Sequence, residues 1–248
     1  PLIKIHKFGN EANILAKCEF LNPSHSVKDR IALNMIENAI ATNKIDKNTT
    51  IIEPTSGNTG VGLAMIAAER GLKIILTMPS SMSIERQKLL KAFGAQLVLT
   101  DPKYGMQGAV DEAIRLSKEI QNSFIPSQFD NPANPDMHKR TTALEIWNDT
   151  DGKVDIFVAG FGTGGTVSGV GEILKSKNPN IKDINEFVQS GIKYQGELIS
   201  DVNLDDEFTV TYSSGSTNSS RAKAIVHTVR SFITIGRCHD TDVQKSAS

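Results

Sequence analysis

The sequence predicts an α/β fold in which parallel strands alternate with helices. Short apolar, β-branched runs recur along the chain, at TIIEP, KIILTMP, QLVLT and VDIFVAG. Each run is followed by a stretch with the spacing of an amphipathic helix, and two of them run into polar, glycine-rich loops. This alternation is typical of βαβ units, whose right-handed crossovers bring the carboxyl ends of the strands to one ligand-binding crevice.

The elements can be assigned in order. The runs LIKIHKF and ILAKCEF flank Gly9-Asn10, which predicts a strand pair joined by a short turn. Strands are predicted over residues 50–54, 73–79, 96–100, 123–126 and 154–160. Helices are predicted from about residue 26 and over residues 58–70, 84–93, 107–120, 135–147 and 166–175. Beyond residue 182 the rhythm stops in an acidic, then serine-rich stretch, with a helix-like segment over residues 222–233.

Composition narrows the class of protein. The 248 residues include 39% hydrophobic and 22% charged residues, as in ordinary globular proteins. A net charge of -1 gives no electrostatic reason to expect a nucleic acid or an anionic membrane as partner. The two cysteines lack metal-ligand spacing, so we expect no metal site and a reducing, cytoplasmic setting. No apolar run approaches the ~20 residues of a membrane span.

Two loops are suited to bind an anion. EPTSGNTG (53–60) and AGFGTGGTVSG (159–169) follow predicted strands and open predicted helices. Free backbone N–H groups and the helix dipole favour an anion there, and Thr163 and Thr166 add hydroxyl donors, so phosphate is the natural ligand. The alternative is that these turns bind no ligand and are rich in glycine simply because the chain must reverse tightly there. In the second loop, Gly160, Gly162 and Gly165 also match the G-x-G-x-x-G pattern of dinucleotide-binding proteins. The acidic residue expected ~20 positions after that pattern has no clear candidate here.

Lys28 is the candidate for covalent chemistry. It stands in the first turn of the helix that follows NPSHSV. An ordinary lysine on a helix is solvated and has no chemical role. In a chain with two anion-binding loops, however, a desolvated lysine beside a phosphate-bearing aldehyde is what Schiff-base chemistry requires.

Five segments together carry a resemblance to a known family. They are NPSHSVKDR, EPTSGNTG, MPSSMSIERQKLLKAFGAQLVLT, SQFDNPANPDMHKRTTALEIW and VAGFGTGGTVSG. In this order they resemble the cysteine synthases (O-acetylserine sulfhydrylases) of the fold-type II pyridoxal-phosphate family, over residues 1–182. The resemblance implies parallel twisted sheets with flanking helices. It also implies a smaller mobile domain over residues 34–126 and a truncated larger cofactor-binding domain formed by residues 1–33 plus 127–182.

The rest of the chain, residues 183–248, does not match this family. It weakly resembles the nucleotide-phosphate loop of adenylate-forming enzymes, and we expect it to be an irregular tail.

The resemblance also implies roles for individual residues. Lys28 would form the Schiff base with pyridoxal 5′-phosphate, and Asn58 would bind the 3′ oxygen of the ring. The residues that would cradle the cofactor phosphate are Gly162, Thr163, Gly164, Gly165 and Thr166. Those that would bind the substrate carboxylate are Thr55, Ser56, Gly57 and Thr59, with Gln128 on the other side.

The activity so implied is β-replacement on O-acetylserine by sulfide, which gives cysteine and acetate. A reaction on serine like that of cystathionine β-synthase is the alternative, and O-phosphoserine is a further possible donor. A third interpretation is an inactive fragment that acts only as a binding module. The expected partners are a small amino-acid substrate and sulfide, and a homodimer is expected if the chain is complete.

Overall fold

A computed structural model describes residues 1–6, 13–160 and 162–183, together with the backbone of two later strands. Strands β1 (Leu2–Lys4) and β2 (Leu15–Lys17) pair antiparallel. The predicted pairing of the N-terminal strands is therefore confirmed, and the predicted turn at Gly9-Asn10 lies outside the described residues. Cys18, directly after β2, is buried.

The main sheet contains four parallel strands in the order β5-β4-β3-β6. They are β3 (Thr50–Pro54), β4 (Lys73–Pro79), β5 (Gln96–Thr100) and β6 (Ser123–Phe124). The helices around them are α1 (Lys28–Ala41), α2 (Asn58–Arg70), α3 (Ile84–Ala92) and α4 (Gly105–Glu119). The predicted parallel βαβ order is thus confirmed in this part of the chain.

A continuous helical stretch follows where one helix was predicted over residues 135–147. It consists of α5 (Ala133–Met137), a π-helical turn (His138–Thr142) and α6 (Ala143–Asp149). The next elements are β7 (Ile156–Phe157), α7 (Gly165–Lys177) and β8 (Lys182–Asp183), and β7 pairs parallel to β8. The strand predicted over residues 154–160 is shorter than expected because, among the described residues, β8 is its single partner.

Two further strands lie in the segment that does not match the family. They are β9 (Glu207–Tyr212) and β10 (Ala224–Thr228), which pair antiparallel. The helix-like prediction for residues 222–233 is wrong over β10, where adjacent β-branched residues favour a strand. The irregular tail is likewise wrong for these two strands, and the remainder of residues 184–248 lies outside the described ranges.

Both faces of the main sheet are covered. Ile51 packs into a core formed with α1 and α2, whereas the next residue, Ile52, packs with Ala113 of α4 on the opposite face. A separate core joins α6, β7 and α7 through Ile146, Phe157 and other apolar side chains. Burial on both faces explains why the strands of the sheet are continuously apolar. In the ranges that the structure describes, no helix is long and apolar enough to cross a membrane.

Candidate active site

Lys28 is the first residue of α1, and its side chain is half-buried. The turn before it is fixed by hydrogen bonds: Ser26 Oγ accepts from the Lys28 N–H at 3.1 Å. The buried Asp29 carboxylate accepts from the Ser24 N–H at 2.6 Å and from the Ser24 hydroxyl. Burial lowers the pKa of the Lys28 amine. No carboxylate among the described residues lies within ion-pair distance of this amine, so it has no acidic partner there.

Helix α2 brings the predicted substrate loop to the start of α1. At Gly62 a Cβ would be 3.3 Å from the Lys28 carbonyl oxygen, so the two helices touch one turn beyond that loop. Across the loop, Thr59 Oγ1 donates to Gln128 Oε1 at 2.6 Å, and both side chains are buried. With its oxygen engaged, the Gln128 amide is oriented to present its NH2 group to a ligand. The structure therefore brings Thr59 and Gln128 together.

The other residues of this loop have polar neighbours of their own. Thr55 Oγ1 accepts from the Gly57 N–H at 3.3 Å. The Ser56 hydroxyl lies 3.5 Å from the Met106 sulfur. These contacts fold the loop back on itself and against the first turn of α4.

Asn58 is the first residue of α2, and its amide faces Arg86 of α3. Its Oδ1 lies 3.5 Å from Arg86 Nη1, at the upper limit of a hydrogen bond. This contact leaves the NH2 group of Asn58 as the donor toward the site.

The glycine-rich loop ends at the N-terminus of α7, where Thr163 is bonded from two sides. Its Oγ1 accepts from Asn134 Nδ2 at 2.9 Å and from the Gly165 N–H at 3.3 Å. A cavity of about 210 Å³ opens here and is lined by residues that include Thr163, Gly164, Gly165 and Ser168. A Cβ built at Gly162 would meet no described atom within 4 Å, so the loop has open space on that side.

His138 connects the glycine-rich loop to the surroundings of Lys28. Its Nε2 lies 3.2 Å from Thr166 Oγ1, and its Nδ1 lies 2.9 Å from Thr142 Oγ1. Burial, with the charges of Arg30 and Lys28, lowers the pKa of His138 to about 4. The imidazole is therefore neutral at pH 7 and serves as a hydrogen-bonding group rather than a cation.

Two residues of the site were not predicted from the sequence. Glu53, at the end of β3, is 1% exposed, and it accepts from the N–H groups of Ser127 at 3.0 Å and Gln128 at 3.2 Å. Asn134 joins Gln128 to Thr163. A carboxylate inside the apolar run TIIEP is a signal that could have identified Glu53, whereas nothing in the spacing of Asn134 identifies it.

These side chains include groups suited to an anion and a half-buried lysine amine. Donors converge at the α7 N-terminus, Gln128 and Asn58 present amide groups, and Lys28 is unpaired. No cluster of three or more His, Cys, Asp or Glu suited to a metal lies in the part of the chain that the structure describes. The class so defined is a protein that binds a phosphate-bearing ligand and can attach it to a lysine.

Comparison with known proteins places the chain within a family. A family model for "Pyridoxal-phosphate dependent enzyme" matches residues 1–190. Cysteine synthase B of Campylobacter jejuni is 58% identical over 198 residues, which cover 79% of this chain and 66% of the relative.

Two solved structures are also similar. Cysteine synthase from Entamoeba histolytica has a TM-score of 0.71 and 46% identity, over 73% of this chain and 56% of that one. The O-acetylserine dependent cystathionine β-synthase from Helicobacter pylori has a TM-score of 0.70 and 39% identity, over 74% of this chain and 61% of that one.

The chain belongs to the family of pyridoxal-phosphate dependent enzymes, and the resemblance to the cysteine synthases is confirmed. It spans between 56% and 66% of the length of the three relatives described above. Pyridoxal 5′-phosphate is the cofactor that this membership implies, and the donor set fits it: an unpaired half-buried amine, an open glycine-rich loop and hydroxyls at a helix N-terminus.

Proposed function

We propose that this chain carries the cofactor site of an enzyme that converts O-acetylserine and sulfide to cysteine and acetate by β-replacement. The observation that carries the proposal is the unpaired, half-buried amine of Lys28, at the start of a helix that touches the helix of the substrate loop. The similarity to cysteine synthases supports the choice of reaction.

Lys28 has two tasks in this proposal. Its amine would hold the cofactor at the aldehyde group, and a lowered pKa favours this because the neutral amine is the nucleophile. With substrate bound, the same amine would act as general base and accept the proton from the substrate Cα. Pyridoxal phosphate, when bound, supplies an electron sink for the charge left at that carbon.

The remaining predicted residues bind and orient. The Gln128 NH2 group and the loop of Thr55, Ser56, Gly57 and Thr59 would hold the substrate carboxylate. Asn58 would donate to the 3′ oxygen of the cofactor ring. The phosphate would lie against Gly162, Thr163, Gly164, Gly165 and Thr166.

We also propose that residues 34–126 act as a smaller domain that moves against residues 1–33 and 127–182, while residues 183–248 form neither. A separate apolar core around α6, β7 and α7 lies wholly within the second unit and supports this division, while Ile31, Ala32 and Ala133 of that unit also pack into the core of the main sheet. Closure of the substrate loop on the carboxylate would exclude water from the reacting carbon.

The partners follow from the reaction. The protein would bind an amino-acid substrate and sulfide, and it would act in the cytoplasm. If the chain is complete, it would form a homodimer. The second candidate is a reaction on serine like that of cystathionine β-synthase. The name of the H. pylori protein combines that activity with dependence on O-acetylserine, which favours O-acetylserine as donor in either case.

Attachment of the cofactor is tested without measuring turnover. The purified protein is mixed with pyridoxal phosphate, reduced with borohydride and digested, and the labelled peptide is identified by mass spectrometry. We expect the label on Lys28, and its loss in Lys28→Ala but not in the control Lys88→Ala, which changes an exposed lysine of α3. A label that survives in Lys28→Ala would refute the assignment.

The reaction is tested by supplying donors and nucleophiles in turn. Release of cysteine from O-acetylserine and sulfide is the expected result. Product from serine with a thiol, and none from O-acetylserine, would favour the second candidate. Cofactor attachment without any product would mean that the chain is a binding module.

A further inference from the structure

Asn134 lies between the two halves of the candidate site. It belongs to α5, which contacts both α1 and α7, and it is 2% exposed. Its backbone N–H donates to the Asn131 carbonyl at 3.0 Å, which fixes its position at the start of the helix. A buried amide side chain needs partners for its polar atoms, and these partners indicate what Asn134 does.

The NH2 group of Asn134 bridges two loops. Nδ2 donates to the Gln128 carbonyl oxygen at 2.8 Å and to Thr163 Oγ1 at 2.9 Å. Since an amide nitrogen carries two hydrogens, both are used. One side chain thus joins the segment that carries Gln128 to the loop that carries Thr163.

The orientation of this amide is determined by its partners. The Gln128 carbonyl only accepts hydrogen bonds, so a flipped amide would set two oxygens against each other. The Asn134 Oδ1 atom points instead to the backbone of α7, where it is buried and has no hydrogen-bond partner among the described residues. A Cβ at Gly165 would be 1.9 Å from that oxygen, so the amide is in close contact with the first residue of α7.

This arrangement also determines the direction of the Thr163 hydroxyl. A hydroxyl has two acceptor sites and one hydrogen. Both acceptor sites of Thr163 are filled, by Asn134 Nδ2 and by the Gly165 N–H. The hydrogen is therefore left to donate, and no described residue accepts it.

We propose that Asn134 is a positioning residue that makes the Thr163 hydroxyl a hydrogen-bond donor to the cofactor phosphate. Through its second hydrogen it fixes the backbone of Gln128 and so links the phosphate loop to the substrate side. The inference rests on the proposed function, since it requires the phosphate at the α7 N-terminus. Asn134 lines the cavity at the α7 N-terminus, and in this scheme it acts on the phosphate through the Thr163 hydroxyl.

The test compares two variants with two ligands. Asn134→Asp keeps the shape but replaces the donor by an acceptor, so the Thr163 hydroxyl would turn toward residue 134. Asn134→Ala removes the donor and leaves the hydroxyl free to turn. Pyridoxal phosphate and pyridoxal, which lacks the phosphate, are titrated into the apoprotein of each variant.

We expect Asn134→Asp to weaken pyridoxal phosphate binding by about 100-fold and Asn134→Ala by about 10-fold, because a hydrogen bond to a charged group is lost or reversed. Pyridoxal affinity should change by less than about 3-fold in both, since its complex lacks that hydrogen bond. The ³¹P resonance of the bound cofactor should shift in both variants. Asn134→Ala is the decisive variant because it adds no charge near the phosphate, and a residue that only packs would there weaken the binding of both ligands equally.

A double-mutant cycle keeps the test decisive if Asn134→Asp does not fold. In a Thr163→Val background, Asn134→Ala should cost no further affinity for pyridoxal phosphate, and a fully additive loss would overturn the inference. Failure of the unmodified chain to bind pyridoxal phosphate would refute the proposed function itself. Binding by the unmodified chain, with equal losses for both ligands in the variants, would refute the role of Asn134 alone.

Discussion

Glu53 should make the stability of the protein fall as the pH rises from about 4.5 to about 7. Burial raises the pKa of this carboxyl from 4.5 to about 7 in the folded protein, although hydrogen bonds from the Gln128 and Ser127 N–H groups favour the charged form. Below pH 4.5 the carboxyl is protonated in the folded and the unfolded chain alike. Between the two pKa values only the unfolded chain releases the proton, so unfolding becomes easier.

The size of this effect follows from the two pKa values. A separation of about 2.5 pH units corresponds to about 3 kcal/mol of unfolding free energy, fully lost once the pH exceeds the folded value. Glu53→Gln removes the titration. It also places an NH2 group against one of the two backbone donors, which costs about 1–3 kcal/mol at every pH. The variant should therefore be less stable than the parent at pH 4.5 and close to it at pH 8.

Urea denaturation of the apoprotein across this pH range measures the effect. The quantity of interest is the difference in unfolding free energy between parent and Glu53→Gln, since other titrating groups cancel in it. Glu85→Gln makes the same chemical change at an exposed position of α3 and should leave the difference flat. Parallel pH profiles for the parent and Glu53→Gln would refute the reasoning.

Three further predictions concern the framework of the site. Arg30→Ala should lower the unfolding free energy by about 2–3 kcal/mol, because a 13% exposed side chain loses charged hydrogen bonds to two glutamates. Arg115→Ala, which removes an exposed network, should have a much smaller effect in the same urea assay. The pKa of His138 is about 4 in the folded protein, against an ordinary value of 6.5. As the pH falls from 6.5 to about 4, only the unfolded chain takes up the proton, so the unfolding free energy should fall by about 3 kcal/mol. His138→Gln should remove this pH dependence in urea denaturation. In Gly165→Ala, the added methyl carbon would lie 1.9 Å from the buried Oδ1 atom of Asn134, so this variant should have a lower melting temperature. Gly57→Ala is the control: its methyl carbon would meet no described atom within 4 Å and should leave the melting temperature unchanged.

The sequence was sufficient to predict the sheet because the information is local. The run TIIEP and its successors are mainly apolar, and helix α2 begins at Asn58 as its polar start indicates. The strand at β7 was overestimated for a different reason. Its apolar run is real, but a strand extends only where a neighbour pairs with it, and pairing depends on distant residues.

The residues that were missed depend on tertiary contacts in the same way. Asn134 stands between two prolines in the sequence, a context that indicates a turn or a helix start and no more. Its function depends on Gln128 and Thr163, which lie in two other segments. Lys28 is proposed from a specific motif, whereas the hydrogen-bond bridge that Asn134 makes between Gln128 and Thr163 has no motif.

Lys28 and Arg30 show how the structure separates two basic residues of one helical turn. The Arg30 guanidinium donates to Glu19 at 2.8 Å and to Glu145 at 2.7 Å, and Lys17 also binds Glu145 at 2.7 Å. Two basic and two acidic side chains thus neutralise each other beside α1. Since both glutamates are engaged there, the Lys28 amine is left without an acidic partner among the described residues, and burial lowers its pKa. In the proposed reaction the Lys28 amine bonds to a carbonyl, and glutamates already paired with Arg30 and Lys17 do not compete for that amine.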